Sequence, residues 1–330
     1  MKICLINPPR LLTLTSVSLR ATPPLGLAYI AGALKNAGHV VKVIDAIALA
    51  PHKATEFEPG IILHGLHDTE VLSIIDEDTD VIGIGCMFSN NWLANRRLIE
   101  VIGRKFPTVK IIIGGEHATA VPEICLKQCN SLSVVVLGEG EETMPAVIAQ
   151  FEAGNTLSCI NGIVYRGENN EFVKTPPKSR VVDLEKIPRP AWDLFPIHEY
   201  MINKFSYGVD RGRSLPVMAT RGCPFSCTFC SSPQMWGTRY YMRSPMDMAN
   251  EIEELYHTYQ IRNFDFYDLT AIIKKEWIID FCKELVKRNL DITWQIPAGT
   301  RSEAIDEEVA DWLYKSGCRN ITYAPESGSP

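Results

Sequence analysis

Apolar segments alternate with helical patterns through the first half of the chain. Five short runs are continuously apolar, which is typical of parallel strands buried on both faces of a sheet. They lie at residues 2–7, 40–45, 81–86, 109–115 and 133–138. Between them, apolar residues recur at helical spacing over residues 25–38, 91–106, 121–128 and 141–154. This βαβ rhythm predicts a Rossmann-like α/β domain with an open parallel sheet over residues 1–155.

The pattern changes after residue 155. The segment GIVYRGENNEFVKT (162–175) predicts a β-hairpin with its turn at ENN. Five prolines then fall among residues 176–200, which excludes a long helix and predicts an extended connector. We therefore predict that residues 156–210 form a hairpin and a proline-rich linker between two domains.

Strand and helix patterns alternate again over residues 211–330. Strands are predicted at 214–220, 263–268, 292–297 and 320–326, and helices at 246–259, 275–289 and 306–317. Four parallel βα steps of this kind indicate a partial (β/α) barrel. Because a parallel sheet that stopped at its fourth strand would expose an apolar edge, we expect the barrel to be truncated and the chain to be a fragment of a longer protein.

The bulk composition is that of an ordinary globular protein, with 46% apolar and 22% charged residues among 330. The net charge is −6 without a run of Lys or Arg, so no nucleic-acid partner is expected. No apolar stretch approaches the ~20 residues that span a bilayer, and the N-terminus lacks the features of a signal peptide. We expect a cytoplasmic protein without a membrane partner, and its ten scattered cysteines fit a reducing compartment.

Loops that contain glycines or other small residues follow three successive predicted strands. They are CMFSNN (86–91), GGEHATA (114–120) and GEGEET (138–143). Open sheets bind ligands at the carboxyl ends of their strands, where glycines let a ligand approach free backbone N–H groups. A single loop of this kind is explained equally well by a tight turn, but three on one edge favour a cofactor cleft. A dinucleotide is disfavoured because no G-x-G-x-x-G opens the first helix.

The segment RGCPFSCTFCSSP (221–233) places Cys223, Cys227 and Cys230 on one loop directly after a predicted strand. Thiolates suit iron–sulfur centres, and three of them can hold three irons of a 4Fe–4S cluster while the fourth iron binds a substrate. A structural zinc site is an alternative, which needs a fourth ligand such as Cys282 or Cys318 to fold back. Burial of the cysteines as small apolar residues is a third interpretation.

Two sets of motifs resemble known protein families. The C-x3-C-x2-C loop at the start of a barrel is similar to the signature of the radical S-adenosylmethionine (SAM) superfamily. The segments PPLGLAYIAGALKNAGH, GGEHAT and GEGEET resemble the N-terminal cobalamin-binding domain of one branch of that superfamily. The D-x-H-x-x-G motif, which supplies a cobalt-ligating histidine in other cobalamin proteins, does not occur in the sequence, as is usual in this branch.

The resemblance to radical SAM enzymes implies that Cys223, Cys227 and Cys230 carry a 4Fe–4S cluster and that SAM chelates its fourth iron. Reductive cleavage of SAM would then give a 5′-deoxyadenosyl radical. The resemblance assigns no catalytic residue beyond the cluster ligands. The residues implied to contact SAM are Phe229, Asp268, Glu326 and Ser327. Phe229 could instead be an ordinary buried aromatic residue, and Asp268 could instead cap a turn.

On the cobalamin side, the resemblance implies contacts from residues of the rim loops and from the start of the first helix. His117 is the one histidine on that rim, and a loop histidine more often makes local hydrogen bonds than ligates cobalt. The implied cobalamin-binding residues are Gly26, Met87, Ser89, Gly114, Gly115, His117, Thr119, Gly138, Glu139 and Gly140.

The implied activity is cobalamin-dependent methylation of an unactivated carbon of a small-molecule substrate, with a reductase, flavodoxin or ferredoxin as electron donor. One alternative is a radical SAM enzyme that does not use cobalamin and catalyses an oxidative cyclisation or another rearrangement. A tRNA-modifying radical SAM enzyme is disfavoured by the acidic net charge. From a different class, a non-catalytic zinc-binding adaptor would explain the cysteine loop alone.

Overall fold

The computed structural model describes residues 1–16, 21–167 and 169–323. The chain forms two compact units. The first consists mainly of Pro24–Val181 and Ile187–Glu199 together with the N-terminal strand, and the second mainly of Val182–Lys186 and the chain from Tyr200 onward. The hairpin predicted at residues 162–175 therefore lies in the first unit, and the proline-rich segment contributes to both.

Among its described residues, the first unit has ten strands in two sheets. They are β1 (Lys2–Asn7), β2 (Arg10–Thr13), β3 (Val40–Asp45), β4 (Ala54–Glu58), β5 (Ile61–His64), β6 (Val81–Gly85), β7 (Lys110–Gly114), β8 (Leu132–Val136), β9 (Ile163–Arg166) and β10 (Phe172–Lys174).

The larger sheet has seven strands in the order β10-β9-β8-β7-β6-β1-β3. The five strands from β8 to β3 are mutually parallel, whereas β9 and β10 add to the edge as an antiparallel hairpin. Residues such as Ile82, Ile111 and Val135 are fully buried, as expected for strands covered on both faces. From β1 the chain first adds β3 on one side and then adds β6 on the other side. The strand order therefore reverses between β1 and β6, which is the position where open α/β sheets bind ligands.

The described part of this unit also has six α-helices that lie wholly within it. They are α1 (Leu25–Asn36), α2 (Asp68–Ile74), α3 (Trp92–Lys105), α4 (Glu116–Ala120), α5 (Pro122–Gln128) and α6 (Thr143–Ala153). Helix α6 ends at Gly154, whose positive φ of 65° gives the left-handed cap that the sequence indicates. Helix α1 packs closely on the proline-rich segment, because a Cβ atom on Gly32 would lie 2.1 Å from the carbonyl oxygen of Arg189.

The smaller sheet and two short helices are not predicted by the sequence pattern. Strands β2, β5 and β4 form an antiparallel sheet in that order, and its central strand β5 buries Leu63 against Leu11 of β2. Strand β4 is only partly buried along its length, so it lacks the strong apolar period that identifies a strand. Helices α2 and α4 have seven and five residues, which is too short for a clear helical period.

The second unit is built on a four-stranded parallel sheet and a two-stranded ribbon. Its strands are β11 (Ser214–Val217), β12 (Thr220–Arg221), β13 (Tyr241–Met242), β14 (Asn263–Phe266), β15 (Thr293–Thr300) and β16 (Cys318–Tyr323). Helix α7 (Ile197–Ile202) includes residues of both units. The helices that lie wholly in the second unit are α8 (Ser232–Trp236), α9 (Pro245–Tyr259), α10 (Lys275–Arg288) and α11 (Glu307–Lys315).

The parallel strands run in the order β11-β14-β15-β16, which is the predicted succession of βα steps. The predicted strand over 214–220 is interrupted, since β11 ends at Val217 and the chain continues into β12, which pairs with β13. Phe266, Phe281 and Trp294 pack with ring centroids 5.1–5.7 Å apart between strands and helix α10. Within the described ranges, no helix is both long and apolar enough to cross a membrane.

Candidate functional site

The first candidate site is the rim at the carboxyl ends of β6, β7 and β8. The three loops that leave these strands are joined by hydrogen bonds. The amide N–H of Cys86 donates to the carbonyl of Gly114 at 2.7 Å, and the amide of His117 donates to the carbonyl of Met87 at 3.2 Å. The amide of Gly138 donates to the Thr119 hydroxyl at 3.0 Å. The loops that the sequence singled out therefore form one continuous edge.

His117 lies within this edge and is bound locally. Its side chain is buried, and Nδ1 is 2.8 Å from the Ser89 hydroxyl. The ring lies against Trp92 with centroids 5.1 Å apart, and Nε2 has no hydrogen-bond partner among the described residues. Burial lowers the pKa of the imidazole, so the ring is neutral at physiological pH. His117 thus makes a local hydrogen bond, which the sequence analysis gave as the alternative to cobalt ligation.

Glycines allow two close approaches at this rim. Gly115 has φ of 113°, and a Cβ atom there would lie 2.7 Å from the carbonyl oxygen of Cys86. A Cβ atom on Gly140 would lie 2.8 Å from Ile30 of α1. Gly138 has φ of 65°, and a Cβ atom there would meet open space. A Cβ atom on Gly26, at the start of α1, would also meet open space. Because backbone rather than side chain forms this surface, it is well suited to hold the edge of a large ligand.

The side chain of Glu139 is directed to protein partners. It is buried and forms an ion pair with Arg180, with an Nε–Oε2 distance of 3.2 Å. It also accepts a hydrogen bond from the amide of Val181 at 2.8 Å. The carboxylate therefore connects the segment after β10 to the rim. Only the backbone of Glu139 is available for ligand binding.

An apolar pair stands on the loop after β6. Met87 and Phe88 are 50% and 64% exposed, although both are large apolar side chains. Exposed apolar surface beside a polar backbone edge is typical of a binding site for a flat, partly apolar ligand. Phe88 was not singled out from the sequence, and the signal that identifies it is an aromatic residue directly after a strand at the point where the sheet changes direction.

The second candidate site is the cysteine loop, which follows β11 and the short strand β12. Cys223 is half-buried and Cys227 and Cys230 are exposed, and all three thiols are free. The amide of Cys230 donates to the carbonyl of Cys227 at 3.1 Å, and the amide of Ser232 donates to the Cys230 sulfur at 3.4 Å. Gly222 has φ of 88° and lets the chain turn sharply before the first cysteine.

These thiols fit an iron–sulfur cluster by their chemistry and spacing. They are soft donors within eight consecutive residues, and the amide directed at the Cys230 sulfur is the kind of hydrogen bond that tunes such clusters. In the described part of the chain, no three His, Cys, Asp or Glu side chains are gathered closely enough to hold a metal ion. The three thiols thus lie on one accessible loop, and their sulfur atoms do not converge on a single point.

Asp268 anchors the base of the cysteine loop. It follows β14, is fully buried, and accepts hydrogen bonds from the Thr220 hydroxyl at 2.5 Å and the Ala219 amide at 3.3 Å. Burial raises the pKa of its carboxyl to about 6, against the lowering effect of these hydrogen bonds. The carboxyl therefore holds the chain just before Cys223, and direct contact of Asp268 with SAM stays a prediction.

A second anchor is a buried arginine on the segment after β13. The amide of Arg243 donates to the carbonyl of Ala219 at 2.9 Å, and its guanidinium donates to the carbonyl of Met218 at 3.2 Å. The guanidinium forms ion pairs with Asp247 and Glu251 of α9. Arg243 thus ties the end of β11 to α9 and is not directed to a ligand.

The remaining predicted SAM contacts are placed differently. Phe229 is 69% exposed, so it is available to a ligand and is not an ordinary core residue. Glu326 and Ser327 lie outside the described residues, and their contacts with SAM stay predictions.

Comparisons with known proteins cover both units. Residues 12–148 match the B12 binding domain family, and residues 217–330 match the radical SAM superfamily. An uncharacterized methyltransferase of Pyrococcus horikoshii is 31% identical over the whole chain, which spans 66% of that protein. The cytidylyl-2-hydroxyethylphosphonate methyltransferase of Streptomyces wedmorensis is 30% identical over 99% of the chain and 65% of its own length.

A solved structure shares the fold of the chain. The cobalamin-dependent SAM radical enzyme OxsB, determined with aqua-cobalamin and SAM bound, superposes with a TM-score of 0.77 at 21% identity. The match covers 99% of this chain and 44% of OxsB. The Rossmann-like domain followed by a radical SAM domain, predicted from the sequence, is thereby confirmed. The chain spans less than two thirds of the length of each of these three proteins.

Proposed function

The chain belongs to the radical SAM superfamily, in the branch that carries an N-terminal B12-binding domain, and from this premise we propose that it is a cobalamin-dependent radical SAM methyltransferase. The observation that carries the proposal is the loop with three free, accessible thiols at the carboxyl end of the first barrel strand. The names of the two similar proteins, both methyltransferases, support methyl transfer over cyclisation.

In the proposed enzyme, Cys223, Cys227 and Cys230 hold a 4Fe–4S cluster, which supplies the electron that cleaves SAM. Phe229 offers an aromatic face beside the cluster, and Asp268 and Arg243 fix the segment before Cys223. With these anchors the loop begins from a rigid base, which is what a precisely positioned cofactor requires.

The rim of the first sheet is proposed to bind cobalamin. Backbone N–H groups around Gly115 and Gly140 would donate hydrogen bonds to polar edges of the ligand, and the open space at Gly138 would let the ligand approach the backbone. Met87 and Phe88 would pack against its apolar surface. His117 is buried, neutral and bonded to Ser89, so we propose that cobalamin is held without a histidine ligand from this residue.

The surroundings of the enzyme follow from the same proposal. The domains are 1–155 for cobalamin, 156–210 as hairpin and linker, and 211–330 for the radical SAM barrel. The substrate is a small molecule, and a reductase, flavodoxin or ferredoxin in the cytoplasm supplies the electron. The negative net charge of −6 argues against nucleic acid as the substrate.

The test is anaerobic reconstitution of the full-length protein with iron and sulfide. We expect about four irons per chain, reductive formation of 5′-deoxyadenosine from SAM, and cobalt retained after incubation with hydroxocobalamin. Replacing any one of the three loop cysteines by Ala should abolish 5′-deoxyadenosine formation. The matched control is Cys159→Ala, which removes an exposed thiol of the first unit and should leave the cluster intact.

Each component of the proposal has its own contrary result. Stoichiometric zinc without iron would favour the adaptor. An assembled cluster that cleaves SAM in a protein that retains no cobalt would favour a radical SAM enzyme without cobalamin.

A further inference from the structure

Arg301 lies over an aromatic residue of the cysteine loop. Arg301 is the first residue after β15, and its guanidinium carbon lies 4.0 Å from the ring centroid of Phe225. Phe225 is half-buried and lies between Cys223 and Cys227 in the sequence. The contact is therefore made with the middle of the loop segment that joins the first two proposed cluster ligands.

The position of Arg301 is fixed from the strand side. The preceding residue, Thr300, is buried and pairs with Tyr323 of β16. The Thr300 hydroxyl accepts a hydrogen bond from the amide of Ile272 at 3.2 Å, on the segment after β14. The base of Arg301 is thus attached to two neighbouring parts of the barrel rim, and a planar guanidinium stacked on an aromatic face is a stable arrangement.

Glu303 forms an ion pair with Arg301. Glu303 accepts a hydrogen bond from Nε of Arg301 at 2.7 Å and lies 2.5 Å from its Nη2. The pKa of Arg301 is raised first by this hydrogen bond and also by the charge of Glu303. The guanidinium lies on the ring of Phe225, which is two residues from both Cys223 and Cys227 in the sequence. It is therefore close to the loop that carries both thiols, and Glu303 partly offsets its charge.

From this arrangement we infer that Arg301 is a positioning residue for the cysteine loop and that the Arg301–Glu303 pair sets the reduction potential of the cluster on that loop. The inference rests on the proposed function. One-electron reduction adds negative charge to a centre already held by three thiolates, so a nearby positive charge stabilises the reduced form and a nearby carboxylate destabilises it. Net charge and hydrogen bonding around the sulfurs are established controls of such potentials.

Two opposite substitutions separate this electrostatic role from a merely structural one. Arg301→Gln removes the positive charge, so the midpoint potential should become more negative. Glu303→Gln leaves the guanidinium unopposed, so the potential should become less negative. A disturbance of packing has no reason to move the potential in opposite directions.

The experiment is a redox titration of the full-length, reconstituted protein with dithionite, followed by electron paramagnetic resonance and carried out without SAM. At the wild-type midpoint, Arg301→Gln should lower the ratio of reduced to oxidised cluster by roughly three- to tenfold, and tenfold corresponds to 59 mV for one electron. Glu303→Gln should raise that ratio by a similar factor. Both shifts should shrink in 1 M salt, where the screening length falls to about 3 Å.

Two further variants complete the design. Arg301→Lys keeps the charge and should keep most of the potential. Lys315→Gln removes an equally exposed cation at the end of α11, which leads into the amino end of β16 and so lies away from the rim, and it should cause no shift. If Arg301→Gln does not retain iron, the Glu303→Gln titration decides alone.

The inference is overturned if the wild-type protein assembles a cluster but Arg301→Gln and Glu303→Gln leave its potential unchanged or move it in the same direction. Failure of the wild-type protein to assemble any iron–sulfur cluster would instead overturn the proposed function, and this inference with it.

Discussion

The buried carboxyl of Asp268 should make the second unit less stable as the pH rises. Its side chain has no solvent exposure, and burial raises its pKa from 3.8 to about 6. The folded chain therefore holds the Asp268 proton more tightly than the unfolded chain. Stability from this group is fully present below about pH 4, declines as the pH rises through about 6, and is constant above that value.

The size of this effect follows from the two pKa values. A rise from 3.8 to about 6 corresponds to roughly 3 kcal/mol between the protonated and ionised forms. Asp268→Asn keeps the shape of the side chain and does not titrate, so the stability of wild type relative to Asp268→Asn should fall by about 2 kcal/mol between pH 4.5 and pH 7.5, because about 1 kcal/mol of the effect is already lost below pH 4.5. For a domain of this size, that is a change of roughly 4 °C or more in the difference of melting temperatures.

The assay is calorimetric melting of the apo wild type and the Asp268→Asn variant across this pH range. Thr220→Ser is the matched control, because it keeps the hydroxyl that donates to Asp268 and should keep the pH dependence. Relative to Asp268→Asn, Asp268→Ala should cost about 1–3 kcal/mol at every pH, since neither variant titrates and the Ala variant leaves the Ala219 amide and the Thr220 hydroxyl buried without an acceptor. A difference between wild type and Asp268→Asn that does not vary with pH would refute the assignment of a buried, titrating carboxyl.

Two further predictions concern the rim of the first sheet. Gly115→Ala should lower the stability of the first unit by about 1–3 kcal/mol and weaken cobalamin retention in melting and cobalt-binding assays, because φ of 113° excludes a side chain. Gly26→Ala, in open space, should leave the stability unchanged in the same melting assay. Arg180→Ala should cost about 3 kcal/mol in urea unfolding, because it leaves the buried Glu139 carboxylate without its cation. Lys178→Ala breaks a more exposed pair with Glu142 and should cost no more than about 1 kcal/mol, and equal losses for the two variants would contradict the argument.

Much of the architecture could be predicted from the sequence because the relevant signals are local. Continuous apolar runs such as VIGIGC identify buried parallel strands, and the spacing of Cys223, Cys227 and Cys230 predicts an iron–sulfur site without any knowledge of the fold. The pairing of β2 with β5 was not predicted because it joins Arg10–Thr13 to residues about 50 positions later. Strand β4 pairs only with the adjacent β5, and it was not predicted because none of its residues is fully buried.

The sequence by itself determined the two-domain order, the parallel sheets and the thiol loop, since each depends on residue type at short spacing. Only the tertiary structure decided which polar side chains face protein partners and which are accessible. It bonded His117 to Ser89, buried Glu139 against Arg180, and placed Asp268 beneath Thr220. It also brought Arg301 from the end of β15 onto Phe225. These contacts join residues 28 to 76 positions apart. The order of residue types along the chain does not show which side chains meet over such separations, because folding of the sheets brings them together.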